Sequence, residues 1–96
     1  MGGFLLTPRA RADLDEIWNY TAERWSVPQA EHYLREIQRG IEAVAIRSGL
    51  GRRCDELRAG YYKMPVGSHI LFYRRTESKI HVVRVLHQSM DVDRHL

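Results

Sequence analysis

The fold is decided by residues 61–86, which read YYKMPVGSHILFYRRTESKIHVVRVL. Within this stretch, β-branched and aromatic residues recur with a period near two, which is typical of strands. They form three runs, at positions 61–64, 70–73 and 80–86. Pro, Gly, Ser and charged residues fill the two gaps between the runs and favour tight turns there. The stretch therefore predicts a three-stranded antiparallel meander.

The run at 80–86 is mostly apolar on both faces, as expected for a central strand, so we expect an N-terminal strand on its other side. Strict alternation would place on one face Ile80, Val82, Arg84 and Leu86. Arg84 is unusual here, because a buried guanidinium is costly unless it is paired. Its partner could be Glu56, Asp91 or a chain terminus; alternatively, Arg84 lines a groove that binds phosphate or an acidic partner.

Upstream of the meander, the sequence predicts a short strand that leads directly into a helix. Phe4-Leu5-Leu6 is an apolar run, and Thr7 followed by Pro8 is a helix-start signal. The helix should span residues 8–24, since apolar and small residues recur at helical spacing. These residues are Leu14, Ile17, Trp18, Thr21 and Trp25.

A second helix follows at once and forms a helical hairpin with the first. Ser26-Val27-Pro28 breaks the first helix and starts the next, which we expect to end near Arg47 before the glycines of residues 48–51. Gly40 lies inside this helix, where it indicates either close packing or a local weakness.

Together these elements predict an α+β fold in the order β-α-α-β-β-β: an N-terminal strand, an antiparallel two-helix hairpin and a three-stranded antiparallel meander. A chain of 96 residues accommodates one domain, spanning residues 1–96. The hairpin should cover one face of the sheet and leave the other face for solvent or a ligand.

Charge is distributed unevenly along the chain. Residues 1–46 contain five Lys and Arg against seven Asp and Glu, whereas residues 47–96 contain ten against five. The second half is therefore the candidate surface for an anionic or acidic partner. Cys54 is the single cysteine, so no disulfide can form within the chain and a cytoplasmic location is expected. No apolar stretch is long enough to span a membrane, and we predict no cofactor.

Basic and aromatic residues interleave in and beside the meander. The basic residues are Arg58, Lys63, Arg74 and Arg84, and the aromatic residues between them are Tyr61 and Tyr73. Such a combination suits nucleic acid, because cations contact phosphates and rings stack on bases. It suits an acidic protein segment equally well.

The histidine at the end of the last strand has three interpretations. His87, Asp91 and His95 are spaced by four residues, so a helical turn would bring together ligands that zinc accepts. No supporting residues are evident for such a site, and we predict no metal. His87 could instead act as a general acid or base, or be an ordinary surface or capping residue. His32, His69 and His81 are interpreted as ordinary residues.

Four groups of residues form motifs that follow one another along nearly the whole chain: Leu6-Thr7-Pro8 with Ala10, Ala12, Asp13, Leu14, Ile17 and Trp18; Asp55-Glu56-Leu57-Arg58 with Gly60; Val66-Gly67-Ser68-His69-Ile70-Leu71-Phe72-Tyr73-Arg74; and Val83-Arg84-Val85-Leu86-His87 with Met90-Asp91. In this order the motifs resemble one known family, the ParE toxins of the ParE/RelE superfamily. The resemblance implies the same order of strands and helices as the residue patterns.

The resemblance also implies a function. ParE relatives are toxins of bacterial type II toxin-antitoxin systems that act in plasmid stabilisation, are neutralised by a ParD-like antitoxin and inhibit DNA gyrase. Operator DNA would be contacted only through the antitoxin, and no membrane is involved. The expected target-binding residues are Arg58, Lys63, Arg74, Arg84, His87, Asp91 and Arg94.

Two alternatives follow from the same superfamily. A RelE-like ribosome-dependent mRNA endoribonuclease would use as its catalytic set Arg58, Lys63, Arg74, Arg84 and His87. The absence of a tyrosine after Tyr73 disfavours this chemistry, so a non-catalytic toxin is expected. The other alternative is a non-toxic co-regulator that only binds the antitoxin.

Aromatic residues that the small core cannot hide are expected anchors for the antitoxin. These residues are Trp18, Tyr20, Trp25, Tyr33, Tyr61 and Tyr73. Core burial is the competing interpretation for Trp18 and Tyr33. We expect an amphipathic antitoxin segment to cross the hairpin and to reach the basic sheet.

Overall fold

The computed structural model describes residues 3–96, and this part of the chain contains three α-helices and five strands. The elements are β1 (Gly3–Leu6), α1 (Pro8–Arg24), α2 (Val27–Ile46), β2 (Arg52–Arg53), β3 (Tyr61–Val66), β4 (His69–Arg75), β5 (Lys79–His87) and α3 (Val92–His95), with a 3-10 turn over Ser48–Leu50. The predicted α+β fold is confirmed. The structure also contains two short elements that were not predicted, β2 and α3, and the 3-10 turn.

The strands form one sheet in the order β1-β5-β4-β3-β2. β1 runs parallel to β5, with Phe4 opposite Ile80, while β3, β4 and β5 form the antiparallel meander. β5 therefore lies between β1 and β4, as its apolar character predicted. A parallel neighbour is possible because α1 and α2 intervene between β1 and the meander.

Both predicted helix starts are confirmed by side-chain caps. The Thr7 hydroxyl accepts a hydrogen bond from the Ala10 N–H at 3.0 Å, and it donates to the carbonyl of Val83 at 2.7 Å. The Ser26 hydroxyl accepts from the Gln29 N–H at 3.1 Å. Thr7 therefore starts α1 and also ties that start to β5.

The strands extend beyond the predicted limits. β3 continues through Pro65 to Val66. The neighbouring strand β2 pairs only with Tyr62 and Lys63, so Pro65 lies on an uncovered edge of the sheet. A proline is tolerated there because its missing N–H would not have formed a hydrogen bond to another strand. Gly67 and Ser68 alone then form the turn to β4, with Gly67 at a φ of 58°. Such a left-handed conformation favours glycine.

A β-bulge corrects the predicted strict alternation in β5. Phe72 pairs with Arg84 but Tyr73 pairs with Val82, so one extra residue lies in β5 between them. As a result, Val82 and Val85 face the helices, while Arg84 and Leu86 face the opposite side of the sheet.

The main core lies between the sheet and the helical hairpin. It consists of buried residues from both layers, chiefly Ile17, Ile37, Ile41, Val44, Leu71, Tyr73, Ile80, Val82 and Val85. A second, smaller cluster of Cys54, Phe72 and Leu86 lies on the other face, under residues of α3 and of the loop after β2.

Gly40 marks the closest approach of α2 to the sheet. A Cβ atom placed at Gly40 would lie 2.6 Å from Cγ2 of Val66 in β3. The close-packing interpretation of this glycine is therefore confirmed. Among the helices of residues 3–96, none is long and apolar enough to cross a membrane.

Candidate functional site

Charge is distributed unevenly between sheet and helices, since the strands are purely basic while α1 and α2 carry seven carboxylates against five arginines. The five strands contain seven Lys and Arg and no Asp or Glu. α1 and α2 carry seven carboxylates: Asp13, Asp15, Glu16, Glu23, Glu31, Glu36 and Glu42. The sheet face turned away from α1 and α2 is called the outer face below; it carries Arg52, Lys63, Arg74 and Lys79, whereas Arg53 and Arg75 lie beside Tyr62 on the other face.

Several predicted cations share this outer face. The cross-strand pairs Tyr61–Arg74, Lys63–Phe72 and Arg52–Lys63 put these side chains on one side of the sheet. Lys79 and His81 extend the row onto β5. Arg58 lies in the loop beside them, where its guanidinium donates to the main-chain oxygen of Leu96 at 2.7 Å. Tyr61 is half-buried on this face beside the smaller cluster.

Arg84 is not available on this surface, which corrects its prediction as a groove-lining or target-binding residue. Its Nε and Nη2 each lie 2.8 Å from the carboxylate of Asp13, and its Nη1 donates to the His95 carbonyl at 2.6 Å. The two side chains are only 13% and 10% exposed. The hydrogen bonds that Arg84 donates to Asp13 raise the pKa of Arg84 above its ordinary value, although burial opposes this shift. The partner proposed from the sequence was also wrong, since it is neither Glu56 nor Asp91.

His87 lies on the opposite side of the sheet from the basic row. It pairs with His69 across β4 and β5, on the face that packs against α1. The predicted ribonuclease set is therefore divided: Arg58, Lys63 and Arg74 are on the outer face, and His87 is not.

The C-terminal polar residues have local roles. The Asp91 carboxylate accepts from the Asp93 N–H at 3.2 Å at the start of α3, and Arg94 lies 3.8 Å from the same side chain in a highly exposed pair. His95 offers its carbonyl to Arg84. Among residues 3–96, no cluster of three or more His, Cys, Asp and Glu side chains is arranged to hold a metal.

Two clefts flank α1. The first, called the apolar groove, lies between α1, α2 and β1 and has a volume of about 390 Å³. It is lined by Phe4, Leu6, Leu14, Trp18, Leu34, Ile37 and Ile41, with Glu31, Arg35 and Gln38 also present. Trp18, one of the aromatic residues predicted to meet an antitoxin, therefore opens onto an apolar surface.

The second cleft, called the histidine cleft, lies between α1 and the end of β5 and has a volume of about 420 Å³. It is lined by Asp13, Glu16, Ile17, Tyr20, His69, Val85, His87, Ser89 and Met90. Of these residues the sequence indicated only Tyr20 and His87, because His69 was interpreted as ordinary and the carboxylates fall on α1, far away along the chain.

The remaining predicted aromatic anchors differ in exposure. Trp25 and Tyr20 are 70% and 63% exposed. Tyr33 is half-buried, and its hydroxyl lies 2.6 Å from Nδ1 of His69 and accepts from the Ser68 N–H at 3.0 Å. Burial is the main cause of the raised pKa of Tyr33. Tyr73 is completely buried, so the prediction that it contacts a partner is wrong.

Tyr73 instead holds the turn after α2. Its hydroxyl donates to the Ser48 carbonyl at 2.6 Å and accepts from the Gly51 N–H at 3.1 Å. Its ring stacks on Tyr62 at a centroid distance of 5.4 Å. Burial raises the pKa of Tyr73, as expected for a core phenol.

Comparisons with known proteins agree on one family. The family described as "ParE toxin of type II toxin-antitoxin system, parDE" matches residues 4–92. The chain is 58% identical over 94 residues to Toxin ParE1 of Mycobacterium tuberculosis, covering 97% of this chain and 96% of that protein. It is 47% identical over 96 residues to Toxin ParE1 of Caulobacter vibrioides, covering 100% of this chain and 99% of that protein.

A solved structure supports the fold. A chain from a structure titled "Chromosomal ParDE TA system from P. aeruginosa" superposes with a TM-score of 0.78, covering 91% of this chain and 96% of that chain. The two sequences are 17% identical, so this likeness concerns the arrangement of strands and helices.

Proposed function

The chain belongs to the ParE toxin family of type II toxin-antitoxin systems, and from this premise we propose that it inhibits DNA gyrase by docking through its basic outer face. The observation that carries the proposal is the exposed row of cations on a sheet whose strands contain no carboxylate. Such a surface attracts an acidic protein patch or the phosphates of gyrase-bound DNA. A cytoplasmic location follows from this target.

The geometry supports a binding toxin over a nuclease. Phosphodiester cleavage needs an acid or base within about 3 Å of the reacting atoms, beside cations that stabilise the phosphorane-like charge. His87 is separated from Lys63 and Arg74 by the sheet itself, and Arg84 is held by Asp13. His87, the predicted general acid or base, therefore cannot reach a phosphate that is bound by Lys63 and Arg74 on the outer face.

Supercoiling and cleavage-complex assays with purified gyrase test the proposal. We expect the wild-type protein to inhibit supercoiling, and Lys63→Glu with Arg74→Glu to raise the half-inhibitory concentration by roughly tenfold or more, because each reversal replaces an attraction by a repulsion. The matched control is Arg9→Glu with Arg39→Glu, which makes the same change in net charge on exposed helix positions.

Circular dichroism and a thermal melt establish that both double variants fold. No inhibition by wild-type protein at molar excess over gyrase, or equal inhibition by the two variants, would contradict the proposal. Cleavage of ribosome-bound message after induction, with gyrase unaffected, would favour the endoribonuclease instead.

The antitoxin is proposed to be ParD-like and to occupy the apolar groove. The groove offers Trp18, Phe4 and Leu34 beside one another at the β1 edge of the sheet, where an amphipathic helix can bury its apolar face. The structural relative is itself titled as a ParDE system. From the groove, an extended tail of the antitoxin can reach the outer face, and operator DNA would be contacted through the antitoxin.

Co-expression with the product of the neighbouring gene tests this partner. We expect a stable complex in which Trp18 and Phe4 lose solvent accessibility, measured by hydroxyl-radical footprinting. Trp25 serves as the internal reference, since it is exposed outside the groove. Protection of Trp25 with unchanged labelling of Trp18 and Phe4 would place the antitoxin elsewhere.

A further inference from the structure

The histidine cleft lies where the edge of the sheet loses its neighbouring strand. β1 pairs with β5 only as far as Val82, and Thr7 then binds the Val83 carbonyl. Asp13 then takes the place of a neighbouring strand, because its carboxylate accepts a hydrogen bond from the Val85 N–H at 2.9 Å. Beyond that point β5 borders an open cleft of about 420 Å³.

Hydrogen bonds fix which nitrogen of each histidine remains for a ligand. His87 Nδ1 accepts from the Ser89 N–H at 3.1 Å and lies 2.7 Å from the Ser89 hydroxyl, so neutral His87 carries its proton on Nε2. The Tyr33 hydroxyl is 2.6 Å from His69 Nδ1 but 3.5 Å from the Val66 carbonyl, so it donates to His69. Both imidazoles therefore keep an Nε2–H that donates to no side chain or carbonyl within residues 3–96, and both residues line the cleft.

The two imidazoles are also held against each other. Their centroids are 5.2 Å apart with the rings perpendicular. Burial, followed by the neighbouring His87, lowers the pKa of His69, which favours its neutral form. The cleft thus gains an uncharged N–H donor from His69 near neutral pH.

The charge of the cleft comes from its carboxylates. Arg84 neutralises Asp13 through two hydrogen bonds, and Glu16 remains as the excess negative charge. No ion pair joins Glu16 to another side chain within residues 3–96. A phosphate or nucleic acid would be repelled by Glu16, whereas a cation would be attracted.

The remaining walls suit a long, flat cation. Ile17, Val85 and Met90 are apolar, and the exposed ring of Tyr20 borders the same cleft. An arginine buries its aliphatic stem on apolar walls, stacks its planar guanidinium on an aromatic ring and forms a bidentate pair with a carboxylate. A lysine can also bury its aliphatic stem and pair with the carboxylate, but it has no planar group to stack on the ring and cannot form a bidentate pair.

We propose that the histidine cleft is a docking site for an arginine of a polypeptide partner, with the guanidinium on Glu16 and Tyr20. Main-chain carbonyls beside that arginine accept hydrogen bonds from Nε2–H of His69 and His87. The site lies across the sheet from the basic outer face, so it binds a cationic segment while that face binds an anionic surface. The inference is independent of the gyrase proposal.

Titration of the isolated 15N-labelled protein with a short blocked peptide tests the site. The probe carries one central arginine, and the matched control peptide carries citrulline, which has nearly the same shape without the charge. We expect the arginine peptide to shift the backbone amides of Glu16, Tyr20, His87 and Ser89, and the citrulline peptide to bind at least roughly fivefold more weakly.

Variants of α1 complete the test. Glu16→Gln should weaken the arginine peptide by roughly fivefold or more, whereas Asp15→Asn, which removes a neighbouring exposed carboxylate outside the cleft, should leave its affinity unchanged. Equal binding of the two peptides, shifts confined to another surface, equal effects of the two variants or no binding at all would each overturn the proposal. None of these outcomes bears on gyrase inhibition.

Discussion

At the scale of single residues, Asp13 joins three parts of the molecule. Its carboxylate on α1 caps the Val85 N–H of β5 and holds Arg84, which in turn binds the carbonyl of His95 at the end of α3. The sequence showed Arg84 as a residue in need of a partner. It could not show which carboxylate was near, because Asp13 is 71 positions away and reads as an ordinary exposed helix residue.

Asp13→Ala should therefore be strongly destabilising. It leaves the buried Arg84 guanidinium without its carboxylate and the buried Val85 N–H without a partner, which costs about 3–5 kcal/mol of unfolding free energy. Urea denaturation of the variant measures this cost. Asp15→Ala is the control and should change stability by less than about 0.5 kcal/mol.

A double variant tests whether the cost of losing Asp13 arises from leaving the charge of Arg84 buried without its carboxylate. Asp13→Leu combined with Arg84→Met should cost less than the sum of the two single changes, because no buried charge then remains. Strict additivity in this double-mutant cycle would contradict the coupling between Asp13 and Arg84.

His69 should make stability depend on pH. Its folded pKa lies below the ordinary value, chiefly through burial, so the unfolded chain binds a proton at higher pH than the folded chain does. The free energy of unfolding should therefore fall as the pH drops below about 6.5 and show no loss from this residue above it. His69→Gln should reduce the slope of unfolding free energy against pH between about 7 and 5.

The control for His69 is His32→Gln, at an exposed position paired with Glu36 on the surface of α2. This variant should keep the wild-type slope. NMR titration of the imidazole protons provides a direct check, and a His69 midpoint at or above that of an unfolded histidine would refute the assignment.

At the scale of elements, the sequence predicted those parts whose signals are local. The Thr7-Pro8 and Ser26-Val27-Pro28 starts, the helical stripes and the period of the strands all involve neighbours along the chain, and the structure confirms them. The continuation of β3 through Pro65 depends on the absence of a partner strand at that edge. The bulge in β5 and the short β2 likewise depend on pairing between distant residues, which no local pattern records.

Gly40 provides a prediction at this scale. In an isolated helix Ala is favoured over Gly by about 1 kcal/mol. Here the new Cβ would lie 2.6 Å from Cγ2 of Val66, so Gly40→Ala should instead destabilise the protein by up to about 2 kcal/mol. Thermal or urea unfolding measures this change.

Removing the Cγ2 methyl of Val66 should make Gly40→Ala stabilising instead of destabilising. In a Val66→Ala background the nearest remaining atom at position 66 is Cβ, at 3.7 Å, which is an ordinary contact. Gly40→Ala should then stabilise that background by about 1 kcal/mol. Destabilisation of similar size in both backgrounds would show that close packing against Val66 is not what requires the glycine.

At the scale of the whole molecule, function is divided between surfaces of different character. The outer face is basic, the apolar groove lies between the hairpin and β1, and the histidine cleft carries excess negative charge. The sequence indicated the basic strands, because Lys and Arg are concentrated in residues 47–96. It could not indicate the clefts, since the histidine cleft combines α1 with the distant end of β5 and the apolar groove depends on how α2 packs beside α1 and β1.

This division predicts a variant that remains toxic but escapes neutralisation. Phe4 lines the apolar groove and is 36% exposed, so Phe4→Ala should remove part of the surface proposed for the antitoxin and leave the outer face intact. Loss of one aromatic anchor costs about 1–2 kcal/mol, which corresponds to roughly tenfold more antitoxin for neutralisation. Inhibition of supercoiling without antitoxin should be unchanged.

The measurement is a supercoiling assay at fixed toxin with increasing antitoxin. Leu50→Ala is the matched control, since Leu50 is a similarly exposed apolar residue outside the groove and should be neutralised like wild type. Lys63→Glu with Arg74→Glu should differ from both, because the outer face is proposed to serve gyrase and the antitoxin tail alike. If Phe4→Ala is neutralised at the wild-type antitoxin concentration, the antitoxin does not depend on the apolar groove, and its anchor must be sought at Trp25 or on the outer face alone.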